Sequence, residues 1–85
     1  MAEMKLGLFI RPTGHHIASW RHPAAHADAN ENFDRFIEMA QTAERGLLDM
    51  LFSADTNTAW TPEDSALNRQ HYSAWLEPFT LLTAL

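Results

Sequence analysis

Four histidines, His15, His16, His22 and His26, fall in one stretch that also holds Trp20 and Arg21. Imidazoles can ligate a metal, carry a proton near neutral pH or hydrogen-bond a ligand. Metal ligation has the least support. His22 and His26 stand at i and i+4, a spacing that aligns two ligands only on a helix, and a residue before proline, as His22 is before Pro23, avoids helical backbone. The chain has no cysteine, which removes thiolate zinc sites and disulfides. No metal is expected. An indole beside a guanidinium can instead pack on a flat or anionic ligand. Trp20, Arg21 and His22 therefore read as a pocket rim, or as a loop anchored by Trp20.

Asp55 is the second position that could carry chemistry. It closes the apolar run LLDMLFSA and precedes a polar stretch, 56–73, that includes Trp60. A carboxylate at a strand end can accept hydrogen bonds from a ligand or cap the turn that follows. Other site chemistries lack their residues. There is no G-x-S-x-G nucleophile elbow, and Gly7, Gly14 and Gly46 are too far apart to form a phosphate-binding loop.

The elements that would position these groups follow from periodicity. Lys5–Ile10 is a brief apolar run with Arg-Pro behind it, which reads as a strand. Leu6, Leu8 and Ile10 alternate with Gly7 and Phe9, so burial on both faces is expected. Residues 12–30 form a long loop containing Pro12, Gly14 and Pro23. The spacing of Phe33, Phe36, Ile37, Ala40, Ala43 and Leu47 predicts a helix over 30–45, capped by Asn30 or Asn32. Gly46 is the expected left-handed residue at its end. Met50–Ala54 reads as a second strand, parallel to the first. A second loop, 56–73, leads to a helix from Trp75 to Leu85, with Pro78 in its first turn and Phe79, Leu82 and Thr83 at helical spacing.

The predicted order is thus β-α-β-α, with both polar loops after the C-terminal ends of strands, where α/β folds bind ligands. Two parallel strands make a poor stand-alone sheet, so residues 1–85 are expected to be the first part of one larger domain.

Composition bounds the function. The 85 residues carry a formal charge of −5, with no basic stripe to neutralise phosphates, so no nucleic-acid partner is expected. No apolar run reaches the roughly 20 residues of a membrane span. The N-terminus lacks a signal-peptide pattern, and the expected location is the cytoplasm.

In combination, Gly14-His15, Trp20-Arg21-His22-Pro23, ERGLLDMLFSAD and LEPFTLLTAL resemble the N-terminal segment of the bacterial-luciferase-like flavin monooxygenases. The branch resembled includes the nitrilotriacetate, dibenzothiophene-sulfone and long-chain alkane monooxygenases. The resemblance implies the β-α-β-α portion of a (β/α)8 TIM barrel. It implies reduced FMN supplied by a separate flavin reductase, O2, a small organic substrate and a homo-oligomer. Carried onto this sequence, it implies a flavin-side role for Asp55 and a catalytic role for His15 on the substrate side. Arg21, His22 and Trp60 become substrate-pocket candidates. For His15 the alternative is a loop histidine held by backbone groups, and for Trp60 a hydrophobic anchor of the loop. A different reading of the whole chain is a truncated, non-catalytic fragment that associates with itself through exposed strand edges.

Overall fold

The computed structural model describes residues 2–55 and 74–85. Two short strands, β1 (Gly7–Phe9) and β2 (Met50–Phe52), pair in parallel with Gly7 opposite Met50, Leu8 opposite Leu51 and Phe9 opposite Phe52. Both are shorter than the apolar runs that contain them, but hydrogen bonds continue beyond each end. Ile10 N–H donates to Phe52 O at 2.8 Å, and Asp49 N–H donates to Leu6 O at 2.8 Å.

Helix α1 (Phe33–Arg45) crosses between the strands, and helix α2 (Pro78–Ala84) follows in the described residues, which keep the predicted β-α-β-α order. Asn32 ends the choice of cap for α1: its side chain accepts from Asp34 N–H at 3.1 Å. Asn30 is buried instead and has another use. Helix α2 begins later than its apolar pattern does. Pro78 occupies the first turn as expected, and Glu77 caps it by accepting from Phe79 and Thr80 N–H. The side chain facing the core is Leu81, whereas Phe79 is 80% exposed. In so short a helix the spacing of Phe79, Leu82 and Thr83 does not settle which flank meets the core.

The end of α1 departs from the sequence expectation. Gly46 keeps right-handed helical backbone, and the left-handed residue is Leu47, with φ of 57°. Leu48 N–H reaches back to Ala43 O at 3.1 Å and Leu47 N–H to Glu44 O at 3.0 Å. This pairing is a Schellman motif, and it puts the left-handed position one residue past Gly46.

Ile10, Phe36 and Leu81 form the core, with Met39, Leu51 and Leu76 packed around them. The core lies on the sheet face that α1 covers. Burial on both faces is not found among the described residues: Met50 and Phe52, on the opposite face, are 62% and 51% exposed. That face is nonetheless shaped. A side-chain carbon added at Gly7 would come within 2.9 Å of both Met50 Cγ and Cε, so glycine leaves room for the neighbouring methionine.

Candidate functional site

The exposed sheet face ends in an aromatic pair. The rings of Phe9 and Phe52, opposite each other in register, lie with centroids 5.0 Å apart. Just past β1 the chain turns, Gly14 N–H donating to Arg11 O at 2.9 Å. Gly14 then takes φ of 105°, a conformation that L side chains rarely adopt. A side-chain carbon there would also press on Ser19 Cβ and Oγ at 3.0 Å. This turn brings the next residue, His15, back over the strand end. Its imidazole stands edge-on to Phe9, with centroids 5.3 Å apart and planes at 81°. The histidine is exposed.

Phe9 has a third neighbour, one that the sequence did not flag. The Arg11 guanidinium lies over the Phe9 ring at 4.9 Å and over the Trp75 ring at 5.1 Å. Such stacking holds a flat cation in place and ties the lead-in to α2 to the strand end. The only signal in the sequence is an arginine directly behind a strand and before proline, which is too common to single out.

Further along the loop, a 3-10 helix (Ser19–Arg21) carries Trp20 and Arg21 and ends at His22. Arg21 lies over the Trp20 indole at 5.0 Å, so the two side chains stack on each other. His22 Nδ1 accepts from Ala24 N–H at 3.1 Å, and His16 Nδ1 accepts from Ala18 N–H at 3.1 Å. A ring nitrogen that accepts puts the proton of the neutral ring on Nε2. The neutral His22 ring therefore keeps Nε2–H as its donor. Arg21 and His22 are both exposed and held by partners within their own loop.

Asp55 lies past the C-terminal end of β2 and is exposed. It stands on the same edge of the sheet as the loop that follows β1, since the strands are parallel. Trp60 lies outside the described residues. Among the described residues no group of three or more histidine or acidic side chains is placed to hold a metal ion. No described helix is long and apolar enough to cross a membrane. Grooves of about 540 and 500 Å3 flank α1, but their linings, including Ile37 and Gln41 in one and Met39 and Thr42 in the other, contain none of the candidate site residues.

The opposite end of the sheet is built for cohesion. Asp49 Oδ2 accepts from Leu6 N–H at 2.8 Å, and Lys5 Nζ lies 3.4 Å from Asp49 Oδ1. In parallel α/β sheets the chemistry gathers at the strands' C-terminal ends and the other end stabilises. The aromatic pair, His15 and Asp55 fall at the first, and Asp49 at the second.

Phe9 and Phe52 offer an apolar surface, His15 a proton-exchanging edge, and Asp55 an acceptor for hydroxyl or ring N–H groups.

No family model matches the chain. Individual proteins do. It is 51% identical over 83 residues to N-acetyl-S-(2-succino)cysteine monooxygenase of Bacillus subtilis (strain 168), covering 98% of this chain and 18% of that protein. It is 44% identical over 82 residues to one of the subunits of pristinamycin IIA synthase from Streptomyces pristinaespiralis, covering 96% and 19%. It is 36% identical over 90 residues to nitrilotriacetate monooxygenase component A of Aminobacter aminovorans, covering 98% and 20%. The chain spans about a fifth of the length of these curated relatives. Identity at this level over nearly all of the chain is homology, and the nitrilotriacetate monooxygenase component is among the proteins that the motifs resemble.

Proposed function

We propose that these residues form one wall of the active site of a two-component, FMN-dependent monooxygenase, as a β-α-β-α segment of a luciferase-like (β/α)8 barrel. The observation that carries the reading is the grouping of His15, Phe9 and Phe52 at the C-terminal ends of two parallel strands in a chain homologous to monooxygenases. That homology weighs against the self-associating, non-catalytic alternative.

The residues present fit a flavin by their chemistry. The exposed Phe9–Phe52 surface suits a flat ring system, and the exposed Asp55 carboxylate suits ribityl hydroxyls or ring N–H groups. Reduced FMN, delivered by a separate flavin reductase, supplies the electrons with which O2 is activated. The chain's own part is to orient and to exchange protons. His15 would hold or give a proton at the oxygen atom being transferred, its ring steadied by the edge contact with Phe9. Arg21 and the Nε2–H of His22 line the substrate side, where a donor and a cation would orient a polar or anionic small molecule. In this reading the working protein is a homo-oligomer.

The test is oxygen incorporation. The intact protein, a flavin reductase, NADH, FMN and isotopically labelled O2 are incubated with a panel that includes nitrilotriacetate and N-acetyl-S-(2-succino)cysteine, the compounds in the relatives' names. One labelled oxygen atom in a product, dependent on both proteins, supports the reading. FMN reduction that yields peroxide alone across a broad panel of organic acids, amines and thioethers would count against it.

A further inference from the structure

Among the described residues, two polar side chains belong to residues that are essentially buried, and they bind each other. Thr13 Oγ1 lies 3.0 Å from Asn30 Oδ1, with the residues 5% and 4% exposed. The bond spans 17 positions and joins the two ends of the loop that carries His15, Arg21 and His22. Both ends are fixed to the scaffold. Ile10, three residues before Thr13, is the most deeply buried core side chain, and Ala29, beside Asn30, is 1% exposed. Asn32, two residues on, caps α1, and its Nδ2 also donates to Asp28 Oδ2 at 2.9 Å.

A buried polar pair is not needed for cohesion, because apolar groups of the same shape can do as well. What the pair adds is direction: a hydroxyl and an amide oxygen bond in only one relative position. Thr13 precedes Gly14, whose positive φ turns the chain towards His15. A shift at Thr13 is therefore passed to the imidazole through a single glycine. We infer that Thr13 and Asn30 are positioning residues, whose hydrogen bond closes the loop and holds His15 edge-on to Phe9. The catalytic part of this inference rests on the role proposed above for His15. The geometric part does not.

The experiment separates the two. In the intact protein, Thr13→Val keeps the shape and removes the hydroxyl, while Thr13→Ser keeps the hydroxyl. Ring carbon–proton NMR spectra, with His15 assigned by His15→Gln, report the ring-current shift that Phe9 imposes. Product formed per reduced FMN consumed reports coupling. Thr13→Val is expected to move the His15 signals towards those of a free histidine and lower coupling several-fold, with Thr13→Ser restoring both. Asn30→Ala breaks the bond from the other side and is expected to move the same signals, which keeps the test open if Thr13→Val does not fold. Unmoved His15 signals in either folded variant overturn the inference. Moved signals with unchanged coupling uphold the clasp and overturn the role given to His15.

Discussion

The imidazole of His15 meets the ring of Phe9 edge-on, with centroids 5.3 Å apart, across a turn in which Gly14 takes φ of 105°. The contact joins a strand residue to a loop residue and turns a flexible side chain into an oriented one. If His15 exchanges a proton in oxygen transfer, His15→Ala lowers product formation by about 100-fold, within the range of general acid–base groups. Peroxide release should rise as product falls. The check is product and peroxide quantified together, and an unaltered ratio would leave His15 a structural residue.

Leu47 holds a left-handed backbone while its side chain is 87% exposed. Leu47→Gly removes the strain and gives up little packing. A gain of roughly 0.5–1 kcal/mol is expected, after allowing for glycine's greater freedom in the unfolded chain. Thermal or urea unfolding of the intact protein measures it. A loss of stability would mean that Leu47 is packed against another surface there.

Asp49 closes the lower end of the sheet through its bond from Leu6 N–H. Asp49→Ala should cost about 1 kcal/mol, and Asp49→Asn less, because the amide oxygen can still accept. Neither should alter reduced-FMN affinity, since Asp49 lies at the end of the sheet away from the candidate site. Unfolding curves and flavin titrations on the same samples would check both halves of this prediction.

Glu77 is held below the usual carboxylate range by accepting from the backbone N–H groups of Thr80 and Phe79, and then from the Thr80 hydroxyl. Asp28 is lowered chiefly by the Asn32 side chain. A depressed folded-state value means that the unfolded chain takes up protons first. These groups therefore stabilise the fold fully above the ordinary carboxylate range, and the contribution is lost as pH falls through the lower folded values. Acidification should reduce stability in that window. In Glu77→Gln the wild-type stability at neutral pH should drop and the acid dependence become shallower. Unfolding midpoints between neutral pH and pH 3 would reveal a slope that stays unchanged if the cap is unimportant.

The order of elements was legible because each apolar run has its own period: KLGLFI and LLDMLF are too short for helices, and the Phe36–Ala43 face repeats at helical spacing. What the sequence left open depends on contacts between distant residues. Asn30 and Asn32 are equally good caps by type, and the choice follows from Thr13 taking Asn30 into the interior. Gly46 is the natural left-handed residue by type, but the turn's hydrogen bonds put Leu47 there. His15, Arg21, His22 and Asp55 were legible as residues that could do chemistry. The contact of His15 with Phe9, and the stacking of Arg11 between Phe9 and Trp75, were not, because no local pattern encodes ring-to-ring distance.

The most direct measurement is an anaerobic titration of the intact protein with reduced FMN, followed by fluorescence, beside the same titration of Asp55→Ala. Saturable binding is predicted, weakened about 10-fold or more in the variant, as expected for loss of a hydrogen bond to a charged acceptor. Equal binding by both would remove Asp55 from the flavin site. No binding by the wild-type protein would contradict the account as a whole.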